Sequence, residues 1–261
     1  MPIGVFDSGV GGLTVFCALE KALPAHSLIY LGDTARVPYG PRSADTVRRY
    51  SIEAGRFLKR QGVEMLVVAC NTASAVAIPS LQQDLDLPVM GVIEPGARRA
   101  VELSKSRKIG VIGTRQTVAS DAYTEAIRRE AADATVVARA CPLFVPLAEE
   151  GWVDDDVARG VAERYLQPLV EAGVDTLVLG CTHYPLLRGV IGEAMGWDVT
   201  LVDSAEAVAS EVCRRLKEAP GQASEGSDRH FYVTDIPAPF KVVAERFLGR
   251  PLDRLGLARI D

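Results

Sequence analysis

The chain has 261 residues, 48% hydrophobic and 24% charged, with a formal net charge of −5. This is an ordinary globular composition, long enough for one large or two modest α/β domains with proper cores. The acidic balance and the lack of a basic cluster argue against a nucleic-acid partner, and no apolar run is long enough to span a membrane. The start, Met1-Pro2-Ile3-Gly4-Val5-Phe6-Asp7, carries no basic leader and goes straight into a strand pattern, so the expected compartment is cytoplasmic.

Residues 3–6 read as a short buried strand, and Asp7-Ser8-Gly9-Val10-Gly11-Gly12 as the turn after it. A dinucleotide-binding loop needs glycine where Thr14 stands, and no Gly-Lys-Ser/Thr follows for a nucleotide-phosphate loop. A tight turn offering backbone N–H groups to a small anion fits better. A helix is expected over 13–23, stopping before Pro24, then a strand over 27–31. Arg36-Val37-Pro38-Tyr39-Gly40-Pro41 is too rich in proline and glycine for regular structure and reads as a site loop. After a helix over 43–61 comes an apolar, branched run, Val63-Glu64-Met65-Leu66-Val67-Val68-Ala69. It ends abruptly in Cys70-Asn71-Thr72-Ala73-Ser74. That is a strand buried on both faces delivering a thiol to its carboxyl end, where open α/β sheets bind ligands. A helix over 75–84 and a strand over 88–93, ending in Glu94-Pro95-Gly96, complete this half.

The pattern then restarts. Lys108-Ile109-Gly110-Val111-Ile112-Gly113-Thr114 resembles the opening strand, and residues 199–204 answer the strand before Glu94. Between them, Val174-Asp175-Thr176-Leu177-Val178-Leu179-Gly180-Cys181-Thr182-His183 repeats the thiol strand: Gly62 falls on Gly173, Val63 on Val174, Leu66 on Leu177 and Cys70 on Cys181. Residues 218–229 read as a surface loop, 231–234 as a last strand and 239–248 as a last helix. The expected fold is therefore two pseudo-symmetric α/β domains with mostly parallel sheets and a cleft between them. The boundaries are 1–94 plus 207–261 for the Cys70 side and 95–206 for the Cys181 side.

The five cysteines, at 17, 70, 141, 181 and 213, form no Cys-x-x-Cys pair, which argues against a disulfide framework or a zinc finger. Cys17 and Cys213 lie in amphipathic helical patterns, and Cys141, before Pro142 at a strand end, is placed with them as structural. Cys70 and Cys181 differ, because two thiols facing one carbon can remove a proton from one face and return another to the opposite face. That is racemisation without a cofactor, provided the site stabilises the carbanionic transition state. Asp7, one strand over from Cys70, and His183, two residues past Cys181, are suited to passing protons to the thiols or holding the substrate ammonium. Asp7 also fits a helix cap, and Asp33 and Glu149 also fit surface charges.

Five motifs together resemble the cofactor-independent glutamate racemases of bacterial cell-wall synthesis. They are Gly4-Val5-Phe6-Asp7-Ser8-Gly9-Val10-Gly11-Gly12, Gly32-Asp33-Thr34-Ala35-Arg36-Val37-Pro38-Tyr39-Gly40, and Ala69-Cys70-Asn71-Thr72-Ala73-Ser74. The other two are Cys141-Pro142-Leu143-Phe144-Val145-Pro146-Leu147-Ala148-Glu149 and Leu179-Gly180-Cys181-Thr182-His183-Tyr184-Pro185. The resemblance implies that Cys70 and Cys181 are the two acid/base residues, supported by Asp7, Asp33, Glu149 and His183, Glu150 being the neighbour of Glu149 that competes for its place. It further implies substrate contacts from Asp7, Ser8, Tyr39, Gly40, Asn71, Thr72, Thr182 and His183, and a first domain completed by the C-terminal end of the chain. Pro38 and Thr114 join the expected binding set. The expected substrate is glutamate, with no cofactor and no metal, in a homodimer that supplies D-glutamate for peptidoglycan. The alternative is a related cofactor-free racemase for another acidic amino acid such as aspartate. A pyridoxal enzyme is disfavoured because none of the six lysines follows an apolar strand at the site.

Overall fold

The computed structural model describes residues 1–218, 228–236, 240–252 and 255–260. The chain alternates β1 (Ile3–Asp7), α1 (Leu13–Ala22), β2 (Leu28–Gly32), α2 (Ala44–Arg60), β3 (Met65–Val68), α3 (Asn71–Leu85), β4 (Val89–Gly91) and α4 (Ile93–Leu103). A second series follows: β5 (Lys108–Gly113), α5 (Arg115–Ala119), α6 (Ala122–Glu130), β6 (Thr135–Ala140), α7 (Phe144–Glu150) and α8 (Asp156–Glu171). Then come β7 (Thr176–Gly180), a 3-10 turn (Tyr184–Leu187), α9 (Arg188–Met195), β8 (Thr200–Asp203), α10 (Ser204–Glu218), β9 (Arg229–Val233), α11 (Phe240–Leu248) and β10 (Gly256–Leu257).

The strands form two sheets, ordered β10-β9-β2-β1-β3-β4 and β6-β5-β7-β8. Every strand pair among the described residues runs parallel. β1, β2, β3 and β7 are buried along their whole length, as apolar runs covered by helices on both faces must be. One face of the six-stranded sheet packs Phe16, Tyr30 and Phe231 with Val208 and Val212 of α10; the other packs Phe6, Leu58 and Leu66 with Leu81 of α3. The four-stranded sheet is covered by α7, α8 and α9 on one side and by α4 and α6 on the other. The chain thus passes to the second sheet at the β4–α4 junction and returns at β8–α10, and the C-terminal β9 and β10 extend the first sheet.

The internal repeat is visible in the backbone. Gly62 and Gly173, just after α2 and α8, both adopt positive φ, at 83° and 69°. Glycine reaches this left-handed region freely, so each closes its helix in one residue and feeds a thiol strand.

Some boundaries differ from those expected. α3 begins at Asn71 rather than 75, because Cys70 itself is the extended residue that opens the helix. The strand expected over 88–93 shortens to Val89–Gly91, and α4 starts at Ile93 with Glu94 and Pro95 in its first turn. Proline is tolerated there because the first N–H groups of a helix have no intrahelical partner. Most of the loop expected over 218–229, and residue 239 of the last helix, lie outside the described residues. No helix among the described residues is long and apolar enough to cross a membrane.

Candidate active site

The carboxyl ends of the two sheets face each other across a cleft of about 400 Å³, lined by both Cys70 and Cys181. Ser8, Pro38, Tyr39, Gly40, Asn71, Thr72, Thr114, Glu149, Thr182 and His183 also line it. Asp7 lies behind the wall, and Asp33 does not reach the cleft.

Cys70 ends β3 and opens α3, so its sulfur sits at a helix N-terminus, where the macrodipole favours negative charge. Its thiol donates to Ser8 Oγ at 3.4 Å. Burial, reinforced by the nearby charge of Asp7, still pushes the Cys70 thiol up to about 12. The glycine turn explains Asp7. The N–H of Gly9 donates to Asp7 Oδ2 at 2.9 Å, and those of Ser8 and Gly12 also favour the charged carboxylate. The anion this turn holds is therefore its own aspartate. Burial nevertheless leaves Asp7 above the usual carboxylate range, and Oδ1 has no hydrogen-bond partner among the described residues.

On the other side, His183 Nδ1 lies 3.9 Å from Cys181 Sγ and Nε2 lies 3.0 Å from Glu149 Oε1. Burial opposes a charge on the imidazole, but the bonds to Cys181 and Glu149 outweigh it and push His183 up to about 10. Helix phase decides between the adjacent acids: Glu149 faces His183, while Glu150 is exposed. α11 closes this flank from the other half, with Phe247 edge-on to the His183 ring at 5.1 Å and Arg246 donating to the carbonyl of Glu149.

The halves touch closely. A Cβ on Gly11 would sit 2.6 Å from His183 Nδ1, closer than atoms can approach. Across the cleft floor, Thr72 Oγ1 lies 3.0 Å from Thr114 Oγ1 and 3.3 Å from Thr117 Oγ1. Thr114 also caps α5 by accepting from Thr117 N, so it serves the fold and the cleft together.

Asp33 is fully buried behind the cleft wall. It accepts from Arg36 Nε at 2.7 Å, Tyr39 O–H at 2.5 Å and Thr234 Oγ1 at 2.8 Å, and so anchors the loop that brings Pro38, Tyr39 and Gly40 to the cleft. Sequence reasoning missed Thr117, Tyr123, Arg246 and Phe247. Thr117 carries a local signal, three residues after a threonine that can cap; the other three reach the site only by long-range packing. Among the described residues, no group of three His, Cys, Asp or Glu side chains is arranged to hold a metal ion.

The family model described as Asp/Glu/Hydantoin racemase matches residues 3–212. A glutamate racemase of Geobacter metallireducens is 58% identical, covering 96% of this chain and 93% of that protein. Among solved structures, glutamate racemase from Francisella tularensis, in complex with D-glutamate, superposes with a TM-score of 0.94 at 36% identity over 100% and 98% of the two chains. A glutamate racemase isoform from Bacillus anthracis gives 0.93 at 41% identity over 98% and 97%. The match runs through both thiol strands and nearly the whole fold, and the chain belongs to the Asp/Glu/hydantoin racemase family.

Proposed function

We infer that this protein interconverts L- and D-glutamate by a two-thiol reaction at Cα, needing no cofactor. The observation that carries this reading is that Cys70 and Cys181 line one cleft from the carboxyl ends of equivalent strands in two facing sheets. One thiolate takes the Cα proton, the electron pair stays on the carbon as the α-carboxylate draws charge, and the opposite thiol delivers its proton to the other face. The reverse reaction exchanges the roles. Cys70, held protonated at rest, is poised as the acid, and Asp7, with a raised pKa, suits taking its proton away for the opposite direction. His183, charged near neutral pH and fixed by Glu149, suits returning a proton to the Cys181 sulfur. Ser8, Asn71, Thr72, Thr114 and Thr182 supply polar groups for the substrate, and the Pro38-Tyr39-Gly40 loop bounds it. The identity to curated glutamate racemases favours glutamate over aspartate.

In this reading the halves divide at 1–94 plus 207–261 and 95–206, and the enzyme works as a cytoplasmic homodimer that supplies D-glutamate for peptidoglycan. The direct test is the circular dichroism of L-glutamate with purified protein dialysed against a chelator. The signal should decay to zero as the racemate forms. A signal that stays constant with L-glutamate but decays with L-aspartate would replace the substrate. Activity regained only with pyridoxal phosphate or a metal would overturn the mechanism.

A further inference from the structure

We propose that Tyr123 is a positioning residue for the reaction: its hydroxyl crosses between the halves, fixes the Asn71 amide so that Nδ2 faces the substrate's carboxylate as a donor, and holds the two thiol edges at one spacing. The inference rests on the reading of the cleft as an amino-acid site.

Tyr123 belongs to α6 and is 2% exposed. Its O–H donates to Asn71 Oδ1 at 2.7 Å, and Asn71 is the residue directly after Cys70. Its ring packs against Gly180, the residue directly before Cys181, where an added Cβ would come within 3.1 Å of Cε2. The opposite contact is Gly96 of α4, where a Cβ would lie 3.4 Å from the phenol oxygen. One side chain therefore presses on the strand end beneath one thiol and bonds to the helix start beside the other.

The polarity of the bond follows from what surrounds it. Asn71 Oδ1 can only accept, so the phenol donates its proton there, while the Ser204 hydroxyl donates to the carbonyl of Leu179 at 3.4 Å. Burial keeps the phenol protonated well beyond neutral pH, so this donor persists. With Oδ1 committed, Nδ2 is the only polar side-chain atom Asn71 has left. It is buried and has no partner among the described residues, although Asn71 lines the cleft. A buried donor left unpaired in the resting protein is costly, and a carboxylate oxygen in the cleft would satisfy it. Without the phenol, the amide is free to turn and present its oxygen to the same anion.

The test is Tyr123→Phe, which deletes the hydroxyl and keeps the ring in its slot. KM for L-glutamate should rise roughly tenfold with a smaller fall in kcat, and the melting temperature should stay within a few degrees of wild type. In an Asn71→Ala background the same change should alter kcat/KM less than twofold, because the phenol then has no amide to orient. Equal losses in the two backgrounds, or unchanged kinetics in the single variant, would overturn the proposal. If Tyr123→Phe does not fold, the wild-type protein decides. The Asn71 side-chain NH2 protons should shift downfield in NMR spectra on saturation with glutamate, and unmoved resonances would refute the assignment. Wild-type protein that does not racemise glutamate would instead refute the underlying function, and the two failures are thereby distinguishable.

Discussion

Glu149 meets His183 across the second sheet's edge, Oε1 to Nε2 at 3.0 Å, and leaves the other ring nitrogen turned toward the Cys181 sulfur at 3.9 Å. The acid thus orients the imidazole and strengthens its hold on a proton. Glu149→Gln should lower kcat by roughly tenfold to a hundredfold and move the alkaline limb of the pH–rate profile to lower pH. The direction follows from the raised pKa. His183 titrates at about 10 in the folded chain, against 6.5 for an unperturbed imidazole. Its stabilising contribution is therefore complete below about 6.5 and lost as pH rises through about 10. Melting temperature measured across that window should fall more in wild type than in the variant. Parallel curves would remove Glu149 from this role.

The paired thiols make a sharper demand. Cys70→Ala and Cys181→Ala should each reduce racemisation by at least about a thousandfold in both directions, since each direction needs one base and one acid. In heavy water the wild-type enzyme should place deuterium in essentially all early D-product while the remaining L-substrate stays protiated. Early protiated D-product, read by proton NMR, points to a single base instead.

Gly11 tests how closely the halves must meet. Its missing side chain leaves the space occupied by Thr182 and the His183 ring. Gly11→Ala should keep the far-ultraviolet circular dichroism of the wild type. It should also lower kcat/KM by about a hundredfold, the usual scale for displacing a catalytic group by an ångström. A variant with wild-type kinetics would show that the contact has slack.

Asp175 is expected to act on stability alone. Its carboxylate accepts from Ser104 Oγ at 2.7 Å, Lys105 N at 2.9 Å, Ser106 N at 2.6 Å and Thr176 Oγ1 at 2.9 Å, which ties the start of β7 to the turn before β5. Burial opposes the charge, but these donors hold the carboxyl well below the usual carboxylate range. Asp175→Asn should lower the melting temperature by roughly 2–5 °C at pH 7 with unchanged kinetics. Because the folded pKa is depressed, the stabilisation is present above about 4 and fades as pH falls below the unfolded value of 3.8. The gap between the two proteins should narrow in that range.

The sequence by itself determined the parallel α/β architecture, the internal repeat and the two equivalent strand ends that carry Cys70 and Cys181. These are local signals: unbroken branched runs such as Met65-Leu66-Val67-Val68, glycines such as Gly62 and Gly173 that end helices, and a cysteine at the same step after each run. Apolar periodicity and turn chemistry act over a few residues, so they survive in the linear text. Tertiary structure decided which polar groups meet. It turned the glycine-turn N–H groups onto Asp7, sent Asp33 behind the loop to Arg36 and Tyr39, and chose Glu149 over Glu150 for His183. It also brought Phe247 and Tyr123 to residues more than fifty positions away in the chain. Side-chain hydrogen bonds are short and directional, whereas their partners here are set by how two sheets stack helices against each other. No pattern along the chain encodes that separation, because it is the sum of many packing contacts in both halves.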